Sequence, residues 1–389
     1  MTESRFGFLK EDFGELVEWY QKAAEQGDAD AQFYLGLCYD EGKGVARDYK
    51  KAVEWYQKAA AQGDADAQYH LGGCYEYGKG VAQDYAKAME WYQKAAAQGD
   101  ADAQLYLGAC YQEGKGVAQD YKKAVEWYQK AAEQGDADAQ LCLGWCYKEG
   151  KGVAQDYAKA MEWYQKAAAQ GNATAQNNLG RYYQEGKGVA QDDAKAVEWY
   201  QKAAVQGNDA AQNNLGWCYQ EGKGVAQDYK KAVEWYQKAA VQGEAYAQYA
   251  LGKCYEYGKG VEQDYAKAME WYQKAAEQGD ADVQLYLGWH YLEGKGVARD
   301  YAKAIEWYKK AAAQGNATAQ THLGLCYEYG KGVARDYKKA IELYKKAAAQ
   351  GHVTAQSRIK ELQKRQKSGC LGTIFFVAFI VFILMKILS

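Results

Sequence analysis

Hydrophobic and polar positions recur along the chain with a fixed period of 36 residues, and each period holds two segments with helical spacing. Residues 100–135 serve as the reference unit. At 100° per residue, its first segment gathers four apolar side chains within about 100° of arc, namely Ala103, Leu107, Cys110 and Tyr111. The second segment gathers six within about 120° of arc, namely Tyr121, Ala124, Val125, Tyr128, Ala131 and Ala132. Each segment therefore predicts an amphipathic helix with one buried stripe, helix A followed by helix B.

Capping residues mark the ends of both helices. Helix A begins at Asp100, a good N-cap, and ends near Gly114, which can adopt the left-handed conformation that closes a helix. Helix B begins at Asp120 and ends at Gly135. In one other unit, Glu244 stands where the N-cap Asp or Asn is usual. Because the connection between units is only a residue or two, neighbouring helices are predicted to be antiparallel.

The repeats fill most of the chain. The Gln-Gly pair recurs without slippage from Gln26–Gly27 to Gln350–Gly351, so that nine full units fit. A fixed period of this length is typical of a solenoid, in which each unit buries its apolar face against its neighbours. The chain is thus predicted to have four parts: an N-terminal half-repeat cap at 1–27, nine repeats at 28–351, a C-terminal capping helix with a basic juxtamembrane segment at 352–367, and an apolar tail at 368–389.

Charge and composition exclude one class of partner. The 389 residues include 48 basic and 51 acidic side chains and no proline. Residues 358–389 hold six basic groups and one acidic group, so residues 1–357 carry a net charge of −8. No nucleic acid partner is expected for an acidic repeat body, because phosphate neutralisation needs a basic face.

The repeated residues LGxCYxEGKGVAxDYxKAxEWYQKAAxQGxAxAQ resemble Sel1-like repeats, which are related to the tetratricopeptide repeat. Two departures exist: Ala46, Ala82 and Ala118 stand where the family often has proline, and most repeats have one cysteine rather than a pair. The resemblance implies an all-α, right-handed superhelical solenoid of antiparallel helix pairs whose concave face binds proteins. It also implies an adaptor that assembles complexes, often at membranes.

The predicted partner-binding face lies on helix A, opposite its buried stripe. By resemblance to tetratricopeptide repeats, that face lines the concave groove, and it is where the units differ most. The tenth position of successive central repeats alternates large aromatic and cationic residues, and two further positions could add polar contacts, which gives the predicted partner-binding set Trp145, Arg181, Trp217, Lys253, Trp289, Asn213 and Tyr249. Exposed tryptophans beside cations suit an extended peptide with apolar anchors and acidic groups. A two-repeat duplication would produce the same alternation without any function.

A single-pass membrane anchor is predicted at the C-terminus. Residues 368–385 carry no charge and would span about 27 Å as a helix, close to the thickness of a bilayer. Basic residues lie upstream, so the positive-inside rule places the repeats on the cytoplasmic side. The alternative is a buried C-terminal helix, but a solenoid has no core that would enclose a helix apolar on all sides.

Cysteine and histidine chemistry gives no cofactor or metal prediction. Seven cysteines occupy the eleventh repeat position on the buried stripe, where a free cysteine acts as a small hydrophobe. Three pairs have chelating spacing, but each lacks two of the four ligands that a structural zinc needs: His70/Cys74, Cys142/Cys146 and His322/Cys326. The Gly-Lys-Gly loops lack the following Ser or Thr of a phosphate-binding loop.

The sequence therefore favours a membrane-tethered protein-interaction scaffold that is not an enzyme. No Ser/His/Asp set and no pair of carboxylates stands out as catalytic. The alternative is a hydrolase-like activity, which has been attributed to secreted cysteine-rich proteins with Sel1-like repeats. The general lack of paired cysteines within the repeats counts against it.

Overall fold

A computed structural model describes residues 13–364, which form helices joined by short loops, with no strand in this part of the chain. Nineteen helices run in sequence, and a further helix covers 353–364. The nineteen are α1 (Phe13–Glu25), α2 (Ala29–Glu41), α3 (Tyr49–Ala61), α4 (Ala65–Tyr77), α5 (Tyr85–Ala97), α6 (Ala101–Glu113), α7 (Tyr121–Glu133), α8 (Ala137–Glu149), α9 (Tyr157–Ala169), α10 (Ala173–Glu185), α11 (Asp193–Val205), α12 (Asp209–Glu221), α13 (Tyr229–Gln242), α14 (Ala245–Tyr257), α15 (Tyr265–Glu277), α16 (Ala281–Glu293), α17 (Tyr301–Ala313), α18 (Ala317–Tyr329) and α19 (Tyr337–Ala349). The prediction of paired helices in an all-α solenoid is confirmed.

The helices divide between two compact units. Unit 1 ends at Gln206 and contains α1–α11, and unit 2 begins at Gly207 and contains α12–α19 with the helix 353–364. Every even-numbered helix is a helix A that pairs with the helix B after it, and it also pairs with the preceding helix B where that helix belongs to the same unit. The right-handed twist of the superhelix stays a prediction.

The predicted caps are present in the reference unit. The Asp100 side chain accepts a hydrogen bond from the Ala103 amide at 2.7 Å, and Asp120 accepts bonds from the first turn of α7. Gly114 has φ 73° and donates its amide to the Cys110 carbonyl at 2.9 Å, as expected of a left-handed C-cap. Local capping chemistry therefore sets the helix bounds in the way that the sequence predicts.

The core of each repeat is a tyrosine ring laid against a glycine. Leu107 and the Tyr128 ring are 0% and 1% exposed. A Cβ added to Gly108 would lie 2.4 Å from the Tyr128 ring, so only glycine lets helix A approach the ring this closely. Alanines at 124, 131 and 132 complete the contact surface of α7. The repeat thus obtains its core from one large ring surrounded by very small residues.

Buried glutamines join neighbouring repeats. Gln104, on α6, donates its amide to the Ala96 carbonyl of the preceding repeat at 3.1 Å, and its side-chain oxygen accepts a bond from Gln134 at 2.8 Å. The same two bonds recur at Gln140 in unit 1 and at Gln284 in unit 2. We name this row of amides the glutamine ladder. Because each amide is buried, it satisfies polar groups that water cannot reach.

Replacement of Gln104 by methionine is expected to lower the free energy of unfolding of unit 1 by about 1–3 kcal/mol, since two buried hydrogen bonds are lost at about 0.5–1.5 kcal/mol each. Methionine keeps nearly the same shape, so little packing is lost. Urea unfolding followed by circular dichroism measures the change. The exposed Gln165 in the same unit is the matched control, and Gln165→Met should be neutral. Equal stability of the two variants would show that the ladder contributes nothing.

The seven cysteines at the eleventh repeat position are buried, as predicted. None of the eight cysteines within residues 13–364 forms a disulfide. Burial raises the pKa of the Cys110 thiol to about 12. This thiol is therefore protonated at neutral pH and unreactive. The cysteine at position 370 lies outside the described residues.

The predicted membrane location is wrong: among residues 13–364, no helix is both long enough and apolar enough to cross a bilayer. Helices of 13 residues are about 20 Å long at 1.5 Å per residue, against about 30 Å of hydrocarbon core. The segment on which the prediction rested, 368–389, lies outside the described residues. The predicted lipid partner and the predicted cytoplasmic placement of the repeats both depended on that span.

Candidate functional site

The seven predicted partner-binding residues all lie on helix A of their repeats. Five occupy the tenth repeat position, one each on α8, α10, α12, α14 and α16, and two occupy the sixth position of α12 and α14. Arg181 is exposed, whereas the other six are partly buried. The tryptophans thus present one part of the indole to solvent and pack the other part against the repeat.

In unit 1, the structure gives Trp145 and Arg181 different surroundings. Trp145 packs against the buried cluster that includes Tyr128. Arg181 forms an ion pair with Glu185 at 3.5 Å, and Glu185 is also 2.6 Å from Lys187. Burial opposes ionisation of Glu185, but the two cations outweigh it and lower the pKa of this carboxyl. The arginine is therefore partly neutralised within its own repeat.

In unit 2, Trp217 and Asn213 lie one helical turn apart on α12. Trp217 packs against the cluster around Tyr236 and Leu251. The side-chain oxygen of Asn213 is buried and accepts no hydrogen bond from any residue in 13–364. A buried acceptor without a donor is costly, and because this oxygen has almost no accessible surface, a ligand does not reach it in this conformation.

The remaining three predicted residues of unit 2 meet at one aromatic cluster. The Lys253 ammonium lies 4.4 Å from the centre of the Tyr286 ring and 5.4 Å from that of Tyr249. Trp289 stacks against Tyr286, with ring centres 6.0 Å apart and planes at 30°. The structure therefore brings Tyr249, Lys253 and Trp289 together through Tyr286.

Beneath this cluster lies a carboxylate that is 0% exposed, that of Glu256. It accepts hydrogen bonds from Tyr272 and Tyr286 at 2.7 Å each and from the Lys295 ammonium at 2.8 Å. Burial favours the neutral acid, but Lys295 and the two tyrosines overcome that effect and lower the pKa of Glu256 to about 2. The cluster thus rests on a permanent buried anion.

His290 is also buried under the cluster. Its Nδ1 lies 2.9 Å from the Lys295 carbonyl oxygen, so Nδ1 carries the proton. Its Nε2 lies 3.8 Å from the Glu256 carboxylate and has no hydrogen-bond donor among residues 13–364. Burial lowers the pKa of His290, which keeps the ring neutral at pH 7. The imidazole packs here against the rings of both Tyr272 and Tyr286.

Two other repeats contain the same buried carboxylate, and the sequence analysis missed all three. Glu76 accepts hydrogen bonds from Tyr92 at 3.0 Å and from Lys115, and Glu328 accepts one from Tyr344 at 2.8 Å. Each glutamate stands in a Tyr-Glu-Tyr triplet, at 75–77, 255–257 and 327–329. Most other repeats have Gln, Lys or Leu between the flanking residues. The triplet is the signal that could have found these sites.

These groups are suited to recognition by non-covalent contacts. The cluster offers partly exposed aromatic faces, a cation and a buried anion in one place, the elements of aromatic and cation–π binding. Of the side chains in residues 13–364, no three from His, Cys, Asp and Glu are arranged to hold a metal ion. The chelating pairs noted in the sequence therefore gain no further ligand in this part of the chain.

Comparison with known proteins relates the repeats to one family. The family model described as Sel1 repeat matches residues 9–28, 29–64, 65–100, 101–136, 137–172, 173–208, 209–244, 245–280, 281–316 and 317–352. A search of the curated proteins found no match.

Two solved structures share the fold over most of their length. The chain is similar to c5321, a protective antigen of uropathogenic Escherichia coli with an SLR fold, at 40% identity over 89% of this chain and 82% of that one, with a TM-score of 0.68. It is also similar to a Sel1 repeat protein from Oxalobacter formigenes, at 38% identity over 80% of this chain and 90% of that one, with a TM-score of 0.63. The family match covers most of the sequence, and the chain belongs to the Sel1 repeat family.

Proposed function

We propose that the chain is a non-enzymatic scaffold that binds protein or peptide partners on the helix A face of its repeats. The observation that carries this proposal is the cluster of Tyr249, Lys253, Tyr286 and Trp289, where large side chains are held partly exposed by buried partners. Rigid aromatic groups beside a cation are typical of protein-binding hot spots. The solenoid repeats support it, because they provide an extended surface on which one element recurs per repeat.

The surface of unit 2 fits an extended segment with apolar and acidic groups. Trp217 and Trp289 supply apolar contact area at two repeats, and Lys253 lies at the repeat between them. No carboxylate in residues 13–364 forms an ion pair with Lys253, so its charge is available to an acidic group.

A displayed peptide library selected on the purified chain tests the proposal directly. Peptides that bind should be enriched in large apolar residues and in Asp or Glu. Affinities of the selected peptides are then measured for the wild-type chain and for variants of the helix A face. If selection yields no peptide above background, the scaffold proposal fails for peptide partners.

The double variant Trp217→Ala, Trp289→Ala is expected to weaken binding of the selected peptides by about 2 kcal/mol or more per tryptophan, about 30-fold each. Isothermal titration calorimetry gives the affinities. Trp235 on α13 is the matched control, because it is a partly buried tryptophan of a helix B. The Lys238 ammonium lies 3.9 Å from the centre of its ring. Trp235→Ala should leave peptide affinity unchanged.

Two results would contradict this assignment of the binding face. Unchanged affinity in the double variant would mean that the tryptophans do not bind the peptides. The alternation of Trp and cations would then be explained by repeat duplication alone. A large loss of stability without a specific loss of affinity would show that the tryptophans pack the repeats and do not bind the peptides. Steady turnover of a substrate by the purified chain would instead favour the hydrolase-like alternative.

A further inference from the structure

Two sites in the chain are copies of each other, five repeats apart. Both have a buried glutamate under a set of tyrosines and a lysine from the following repeat. The matching pairs are Tyr69 and Tyr249, Glu76 and Glu256, Tyr77 and Tyr257, Tyr92 and Tyr272, Tyr106 and Tyr286, and Lys115 and Lys295. The first site lies wholly in unit 1 and the second wholly in unit 2.

In unit 2, the chain fills this site with a cation of its own. The Lys253 ammonium lies 4.4 Å from the centre of the Tyr286 ring, 5.4 Å from that of Tyr249 and 5.5 Å from that of Tyr257. Three aromatic rings around one ammonium group form an aromatic cage. The cage of unit 2 is therefore occupied in the folded chain.

In unit 1, the corresponding site has a glycine at the position that Lys253 occupies in unit 2. Gly73 takes the place of Lys253, and within 4 Å a Cβ added there would meet only the Tyr92 hydroxyl, at 3.6 Å. The Tyr77 and Tyr106 hydroxyls lie 3.3 Å apart, against 3.4 Å for the corresponding pair in unit 2. The three rings of Tyr69, Tyr77 and Tyr106 are thus present without the side chain that fills the cage in the other copy.

The residue that packs beside the cage is also smaller in unit 1 than in unit 2. Ala109 stands where Trp289 stacks on Tyr286 in unit 2. Without that stack, the Tyr106 ring lies at 38° to Tyr92, whereas the equivalent rings in unit 2 are at 83°. Rotation of a side chain at an interface is common on binding. Such a rotation would give the Tyr106 ring the orientation that Tyr286 has in unit 2.

The charges around the open cage favour a cation. Burial raises the pKa of Tyr69, and the negative charges of Asp102 and Asp100 near this ring raise it further. Lys115 is paired with the buried Glu76, as Lys295 is with Glu256 beside the filled cage. A second cation can therefore lie in the cage beside Lys115, as Lys253 does beside Lys295. Among residues 13–364, no cation lies over the rings of Tyr69 or Tyr106, although two lie 5.9 Å from that of Tyr77.

We propose that Tyr69, Tyr77 and Tyr106 form an open cage above Gly73 that receives a lysine side chain of a bound peptide, in the position that Lys253 occupies in unit 2. The proposal rests on the proposed function, since the lysine belongs to a partner on the helix A face. It specifies the chemistry of that partner: a lysine at unit 1, in addition to the acidic and apolar groups that fit unit 2.

The probes are three capped tripeptides with a central lysine, trimethyl-lysine or norleucine, and binding to the full chain is followed by ligand-observed NMR. The two cationic peptides should bind, and the neutral norleucine peptide should bind about tenfold more weakly or not at all. Gly73→Lys should abolish the difference, because the chain then fills its own cage as it does in unit 2. Lys253→Gly should open a second cage and add a binding site.

Equal binding of the lysine and norleucine peptides, or unchanged lysine binding in Gly73→Lys, would overturn the proposal. Should Gly73→Lys fail to fold by circular dichroism, Tyr77→Leu replaces it, because Tyr77 is 61% exposed and has little packing to lose. Tyr77→Leu should weaken lysine binding, whereas Tyr337→Leu, at an exposed tyrosine outside the cage, should not. The tripeptides are independent of the selected library peptides. A negative tripeptide result would therefore overturn only the cage proposal, and a failed library selection would overturn only the scaffold proposal.

Discussion

Replacing Tyr128 with alanine is expected to lower the free energy of unfolding of unit 1 by about 3–5 kcal/mol, the usual cost of removing a buried aromatic side chain. The ring is 1% exposed and lies directly against Gly108, so neither helix has a side chain that can refill the space. Urea unfolding followed by circular dichroism measures the loss. Because the core of each repeat depends on one ring, the effect should be among the largest of any single substitution.

Two further variants separate the contributions to this loss. Tyr128→Phe removes only the hydroxyl, which bonds to Gln112 at 3.1 Å, and should cost about 1 kcal/mol. Lys122→Ala, at an exposed position of the same helix, should be nearly neutral. A loss below about 1 kcal/mol in Tyr128→Ala would mean that the repeat does not depend on its tyrosine ring.

Acid is expected to destabilise unit 2 through Glu256. The pKa of Glu256 in the folded chain is about 2, below the ordinary value of 4.5, so the unfolded state binds more protons between these values. The stabilisation is complete above about pH 4.5 and is lost as the pH falls through about 2. A shift of this size corresponds to about 3 kcal/mol.

Urea unfolding of the wild-type chain and of Glu256→Gln between pH 2 and pH 7 measures this contribution. The variant should be less stable at pH 7 and should lose less stability on acidification than the wild type. Glu270→Gln, at an exposed glutamate of α15, is the control and should follow the wild-type profile. Parallel pH profiles for the wild type and Glu256→Gln would contradict the low pKa of this carboxyl.

The sequence predicts the helices well because their signals are local. Asp100 and Gly114 act on backbone groups within four residues, so capping chemistry is readable without tertiary structure. The apolar stripe of helix A is equally local, and its members Leu107 and Cys110 are buried as predicted. Family resemblance adds the solenoid arrangement, which the periodicity also requires.

The polar interior could not be predicted in the same way. Periodicity treats glutamine and glutamate as surface residues, yet Gln104 and Glu76 are buried. Their partners lie 30 and 39 residues away in the sequence: Gln134 is the C-cap of α7, and Lys115 lies in the loop after α6. Burial of these groups depends on how consecutive repeats stack, which the pattern of a single helix does not contain. The tyrosine cage could not be predicted for the same reason, because its three rings come from two consecutive repeats.

The glutamine ladder also determines how such a chain can change in length. Every bond of the ladder joins a repeat to itself or to its immediate neighbour. If residues 100–135 were deleted, Gln140 would follow Ala96 at the distance that Gln104 now has, and its amide would meet the same carbonyl. Unequal recombination between repeats would therefore add or remove whole repeats without creating a new interface. Selection could thus adjust the reach of the binding surface one repeat at a time while each junction keeps its chemistry.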